Sequence, residues 1–322
     1  MRNRGIGVYI AQRLLMLVPL ALVVTLVVFL LTSLVPGGPV AALLGGKPTT
    51  TATVEAIRAK YHLDDPLIVQ YWHWLEGVFH GDLGISISTS VPVSTAISDR
   101  IGVTLTLNVV GISFALIVGI AMGVTAAYHR GSSLDRFVVG LNVFLGSTPH
   151  FVFAIAALFL FGYKLGWFPL FGLGDGSFWS TAWHLVLPAL VMGVGALGFV
   201  TKLTRASMLD QLDQDYVSFA RARGLGFWRI LSAYSMRNAL VPILTTAGLL
   251  VIGMLTGTVF VESVFGIPGL GGLLVDAVTA SDIPVIQGLV LVIAAWILVA
   301  NLAIDLLYAL VDPRVKFDRA VR

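Results

Sequence analysis

The sequence predicts an all-α polytopic membrane protein of six transmembrane helices with both termini in the cytoplasm, and three observations lead there. Of 322 residues, 57% are apolar and only 11% charged, whereas soluble domains carry about 25% charged residues. Mean hydropathy is +0.92. Six runs without Asp, Glu, Lys or Arg occur at 14–34, 101–127, 137–163, 183–200, 239–261 and 283–304, each long enough to cross a hydrocarbon core of about 30 Å. Membrane β-strands are excluded, because they would be short and alternating. With the N-terminus inside, the inner segments hold fifteen Lys and Arg and the outer segments five, the bias that orients membrane proteins. The pI near 9.3 reflects that skew. The basic residues are scattered over several loops rather than gathered in a stripe, so no nucleic-acid partner is implied.

Taken in order, the first run follows Arg2, Arg4 and Arg13 but is longer than a signal-peptide core, and Val35-Pro36-Gly37-Gly38 offers no small-x-small cleavage site. It reads as an uncleaved span. A long extracytoplasmic loop follows at 36–100. Asp65-Pro66 has the form of an N-cap and first helical position, and Leu67, Ile68, Tyr71, Trp72, Leu75, Val78 and Phe79 recur at helical spacing. A short amphipathic helix is expected over 65–79. Residues 81–90 alternate small and apolar side chains and read as an extended link into the second span. The outer loops at 166–180 and 262–282 are rich in glycine, and 265–272 must turn sharply. Outward-facing aromatic and glycine-rich surface makes Trp72 and Leu270 candidate docking residues.

Catalytic patterns fail on inspection. Gly193, Gly195 and Gly198 spell GxGxxG, but inside a span, with no strand before it and no acidic residue after it. They read as packing glycines, as do Gly119/Gly123 and Gly253/Gly257. Gly45-Gly46-Lys47-Pro48-Thr49 resembles the tail of a P-loop with proline in the hydroxyl position, and binds no nucleotide. Cysteine is absent. His62, His73, His80, His129, His150 and His184 show no metal-ligand spacing, and no metal site is expected.

Ionisable groups within spans are few: His150, Asp305 and Glu262. Carboxylates at mid-membrane and interrupted half-helices in paired positions, which coupled carriers use, are not evident. Asn108, Asn142, His150, Thr256 and Glu262 are candidate path or gate residues. For the uncharged ones, interhelical hydrogen bonding is the plainer reading.

The stretch 216–242, YVSFARARGLGFWRILSAYSMRNALVP, is basic and aromatic between two apolar runs. A short helix should end at Gly224 in a left-handed conformation, with Arg221 and Arg223 at its negative end. Gly226 frees a turn, and a second helix should start at Phe227 and run into the fifth span, bent at Pro242. Phe219, Leu225, Phe227 and Trp228 ringed by Arg221, Arg223 and Arg229 suit the centre of a protein interface. A surface helix on the anionic leaflet is the alternative.

Ala220-Arg221-Ala222-Arg223-Gly224-Leu225 and Arg237-Asn238-Ala239-Leu240-Val241-Pro242 resemble the EAA-type loop of binding-protein-dependent ABC importer permeases of the dipeptide, oligopeptide or nickel group. Gly81-Asp82-Leu83-Gly84 with Ser86, Ser147-Thr148-Pro149, Leu187-Pro188-Ala189-Leu190, 261–271, 282–288 and Asn301 with Asp305, Tyr308 and Asp312-Pro313-Arg314 extend the likeness to the B-type permease over nearly the whole chain. Ser218 and Phe219 replace the Glu and first Ala of the general pattern. The resemblance implies a type I importer fold, a single transmembrane permease domain over 1–322 and a coupling loop at 205–238. It also implies a second homologous permease, two cytoplasmic ATPases carrying ATP and Mg, and an extracytoplasmic binding protein that delivers di- or oligopeptides. The chain itself would bind no cofactor and catalyse nothing, in the plasma or inner membrane. A secondary carrier or channel working without ATPases is the rival reading.

Overall fold

The computed structural model describes residues 3–31, 38–44, 50–60 and 62–311, with side chains throughout except at 3–14, 42–43, 60, 227, 237, 240–241, 244–247, 249, 251–252, 255–256, 305 and 307–311. Among the described residues the regular structure is helical, apart from one isolated antiparallel bridge between Ile85 and Pro92. Three helices among the described residues are long and apolar enough to cross a membrane, Val93–Tyr128, Phe178–Leu212 and Ile283–Ile304, and a bent pair makes a fourth if counted as one span. The chain divides into two units.

One unit joins Ile10–Thr104 to Pro268–Val299. It holds most of α1 (Asn3–Leu30), then α2 (Gly38–Leu44), α3 (Thr51–Lys60), α4 (Leu67–Phe79), the start of α5 (Val93–Tyr128), α12 (Leu270–Thr279) and most of α13 (Ile283–Val311). The amphipathic helix expected at 65–79 is α4, but its cap is Pro66 and Leu67 is the first helical residue. The Asp65 side chain makes no cap. Gln70 reaches back instead, its Nε2 donating to the Leu63 and Asp65 carbonyls at 3.1 and 2.7 Å. Tyr71 and Trp74 hold α4 to α1: the Tyr71 hydroxyl lies 2.7 Å from Thr25 Oγ1, and both rings meet Phe29. Gln287 of α13 donates to the Val28 carbonyl at 2.7 Å. The core of this unit is Val93, Ile97, Leu270, Leu273, Ala277, Val285 and Leu289. Gly288 leaves room for Val93, whose Cγ1 would lie 2.5 Å from an added Cβ.

Residues 81–90 are not an extended link. Ser86 and Val91 pair across a tight turn, Ser90 adopts a positive φ of 61°, and α5 begins at Val93, eight residues ahead of the apolar run. The turn is favoured because it gathers Ser86 and Ser88 onto one carboxylate, described below.

The other unit comprises Leu105–Ile267 with residues near the chain ends. Its centre is α8 (Phe178–Leu212), packed by α5, α6 (Ser133–Ser147), α7 (His150–Ala157, continuing as a π-helical turn to Lys164) and α11 (Arg237–Val264). The glycines of α5 and α8 explain the close approach. An added Cβ on Gly123 would lie 2.8 Å from the Thr201 carbonyl, one on Gly193 2.7 Å from the Gly111 carbonyl, and one on Gly198 3.3 Å from the Asn142 carbonyl. The packing reading of GxGxxG and Gly119/Gly123 therefore holds. Among the described residues neither Gly253 nor Gly257 seats a neighbouring backbone.

The third apolar run is broken. α6 and α7 meet at 101° across Thr148-Pro149, because proline has no N–H to continue the ladder and drives Thr148 to φ −98°, ψ 125°. Among the described residues one apolar span is thus interrupted. α11 runs on through Pro242, and the departure from α geometry lies upstream, in the π-helical turn Ile230–Met236. Residues 45–49 and 312–314 lie outside the described residues, as do the side chains of Arg237, Thr245, Thr246 and Asp305.

Candidate functional site

The stretch 216–242 folds as an elbow. α9 (Asp215–Ala222) is a short helix with Arg223 as its C-cap and Gly224 at φ +73°. Gly224 N–H donates to the Arg221 carbonyl at 2.9 Å and Leu225 N–H to the Ala220 carbonyl at 3.2 Å, the paired bonds of a Schellman ending. α10 (Phe227–Arg229) then restarts the chain. Val217, Ala220 and Ile230 are buried together, with Tyr216 and Leu225 packed against them. Ala220 and Leu225 therefore hold the elbow together rather than face outward. What faces outward is Phe219, 71% exposed, and Trp228, 76% exposed, with Arg221, Ala222, Arg223 and Arg229 around them. The Phe227 side chain lies outside the described residues.

The elbow is bolted at both ends. Tyr216 hydroxyl donates to Gln211 Oε1 of α8 at 2.6 Å and accepts from Asn238 Nδ2 of α11 at 3.2 Å. Met208 of α8, Leu231 of the π-helical turn and Ala239 and Ile243 of α11 share a second buried cluster with Ala127 of α5. α8 is tied in turn to α6 by a two-pronged ion pair that the sequence left unnoticed. Arg205 Nε and Nη2 donate to Asp135 Oδ1 and Oδ2 at 2.6 and 2.8 Å.

Further along, α8 and α11 line a cavity of about 190 Å³ with His150 of α7 at its edge. Its walls include Gly195, Ala196 and Phe199 from α8 and Gly253, Met254, Gly257 and Val261 from α11. An added Cβ at Gly195 would run into the His150 ring. Glycine thus seats the imidazole at the cavity.

Of the other path candidates, Asn108 is buried and donates to Thr258 Oγ1 at 3.0 Å, joining α5 to α11. That is the interhelical reading. Glu262 is fully buried one turn beyond Thr258. Asn142 is half-buried on α6 beside Gly198. The Thr256 side chain lies outside the described residues.

Trp72 is exposed on α4 with Ile68 and Phe79. Leu270 is not: at 7% exposure its side chain sits in the core cluster, while its N–H donates to Thr104 Oγ1 at 2.8 Å. Of the glycine-rich turn only Gly266 and Pro268 are exposed, while Phe265, Ile267 and Leu270 are buried and anchor it. Asp282, given no role in the sequence beyond its motif, is buried and accepts from Ser86 Oγ, Ser88 N and Ser88 Oγ at 2.6, 3.0 and 2.7 Å. Burial raises its pKa, and these hydrogen bonds more than offset that, so the carboxyl lies below its usual range. The histidines also do not all stand apart, since His62 and His73 stack with ring centroids 4.4 Å apart.

Comparison with known proteins decides what this arrangement belongs to. The family described as "Binding-protein-dependent transport system inner membrane component" matches residues 119–317, and its N-terminal companion matches residues 7–108. The chain belongs to this family of inner membrane components. A Brucella abortus protein called a peptide transport system permease is 40% identical over 96% of this chain and 99% of its own length. The dipeptide transport system permease protein DppB of Escherichia coli K12 is 35% identical over 97% of this chain and 99% of its own. In fold, the chain is similar to a chain of the inward-facing MetNI methionine ABC transporter. The TM-score is 0.56 at 17% identity, covering 67% of this chain and 95% of that one. As an inner membrane component the protein is a multi-pass membrane permease and not an enzyme, and it binds no cofactor. ATP is bound and hydrolysed on separate subunits. The reading as a self-sufficient carrier or channel is set aside with that membership.

Proposed function

We propose that this chain is one of two permease subunits of an ATP-driven importer of di- or oligopeptides. It crosses the membrane six times in a type I importer arrangement, with both termini cytoplasmic and residues 1–322 forming one permease domain. The segment 205–238 receives a cytoplasmic ATPase, and 36–100 faces the binding protein that delivers the peptide. Phe219 and Trp228 are the ATPase contacts, Gly224 sets their direction, and Trp72 and the turn anchored by Leu270 meet the binding protein. His150 and Glu262 belong to the path or its gate.

One observation carries the reading. The elbow is fastened through Tyr216 to α8 and α11, and those same helices wall the cavity beside His150. A push on Phe219 and Trp228 is thereby delivered to the walls of the path, which is how two packings of one bundle are switched by ATP binding elsewhere. The peptide assignment is supported by the names of the relatives that match over nearly their whole length. Purification in mild detergent should bring down a second permease and two ATPases, and the reconstituted assembly should take up peptide only with ATP and the binding protein. Peptide uptake by this chain alone, without ATP, would contradict it.

A further inference from the structure

We infer that His62, Asp65 and His73 form a three-ligand site for a divalent transition metal, zinc in the first instance. In sequence these residues show no recognisable metal-ligand spacing. The fold brings them together, because α3 ends at the turn carrying His62 and Asp65 while α4 returns His73 alongside. One ligand atom from each residue lies within 4.8 Å of the others. His62 Nδ1 is 3.4 Å from Asp65 Oδ2, and two ligands each about 2.0–2.1 Å from a tetrahedral ion stand roughly 3.4 Å apart. The His73 ring stacks on that of His62, with centroids 4.4 Å apart and planes within 18°, so His73 must turn out of the stack for its nitrogen to meet an ion lying in the plane of each imidazole.

Two features fix the backbone of the turn that carries His62 and Asp65. His62 has φ 53°, a left-handed conformation uncommon for residues with a side chain, though tolerated by histidine better than by most. The bonds from Leu63 N–H to the Arg58 carbonyl and from Asp65 N–H to the His62 carbonyl fix the turn on one side. Gln70 fixes it on the other through the Leu63 and Asp65 carbonyls. Strain of this kind is a reason to look for function at the residue that bears it. The donor chemistry selects the ion: two imidazoles suit zinc, copper or nickel, whereas a lone carboxylate is too few hard oxygens for calcium. Side-chain exposure of 49% for His62 and 45% for Asp65 leaves the fourth position to water or to a donor from a docked protein. Bound metal would clamp the α3–α4 turn, whichever face of the membrane the segment occupies.

The test is zinc titration of the full chain, purified in detergent on a tag without histidine, by calorimetry. Wild type should bind one zinc ion at micromolar or tighter affinity. His73→Ala and Asp65→Asn should each weaken that binding at least tenfold, while His80→Ala, outside the cluster, should leave it unchanged. Helical circular dichroism should be alike in all four proteins, since the substituted side chains are exposed. X-ray absorption of the zinc-loaded protein should show nitrogen and oxygen ligands with imidazole scattering. Equal zinc binding by wild type and His73→Ala, or no zinc binding by wild type, would overturn the site.

Discussion

Ser86 Oγ donates to Asp282 Oδ2 at 2.6 Å across 196 residues of chain. Ser88 adds two further bonds to the same oxygen, so one buried carboxylate ties the turn before α5 to the start of α13. Asp282→Ala removes the shared acceptor of both hydroxyls and of Ser88 N–H and should cost on the order of 2 kcal/mol, read as a lower thermal midpoint in detergent. The sign with pH follows from the lowered pKa. The contribution is fully present above the ordinary carboxylate value of about 3.9, and it is lost as pH falls through the lower folded value. Wild type should therefore lose part of its advantage over Asp282→Ala only in strong acid, and a constant difference down to denaturing pH would count against this assignment.

Arg205→Ala should be worse than removing the pair. It leaves Asp135 buried without its guanidinium, at a cost on the order of 3 kcal/mol. Arg205→Leu with Asp135→Leu should recover much of that, measured as thermal midpoints of the solubilised chain. Equal midpoints for Arg205→Ala and wild type would mean that the pair contributes nothing.

Much of this was legible because it is local. The apolar runs, the α9 ending at Gly224 and the packing glycines of α8 follow from residue type and spacing over a few turns. What was not legible depends on residues far apart. Asp282 looks like an ordinary loop acid until Ser86 and Ser88 reach it, Asp135 and Arg205 are 70 positions apart, and His62 meets His73 only once α4 folds back. Leu270 misled because its glycine neighbours imply an exposed turn, yet a turn needs an apolar residue to pin it. Thr148-Pro149 was visible as a proline, but the 101° bend depends on how α6 and α7 each pack.

At the cavity, Gly195→Leu should fill space beside His150 and displace the ring. Peptide uptake should fall at least tenfold, while the assembled complex keeps its ATPases, because the elbow is untouched. Normal uptake by Gly195→Leu would remove this cavity from the path.

On α4, Trp72→Ala removes an exposed side chain and should not alter folding. It should raise the binding-protein concentration needed for half-maximal uptake by roughly 10- to 30-fold, the range for losing an aromatic anchor worth about 2 kcal/mol. An unchanged concentration would place the docking surface elsewhere.

Phe219→Asp tests most directly the proposal that the α9–α10 elbow couples this permease to ATP hydrolysis, because that side chain is 71% exposed. The measurement is peptide-stimulated ATPase activity of the reconstituted complex, with the retained ATPase quantified alongside. Permease abundance should stay normal, ATPase association should weaken by roughly 30-fold for about 2 kcal/mol of lost contact, and peptide stimulation should be lost. Full ATPase retention with wild-type stimulation would contradict it.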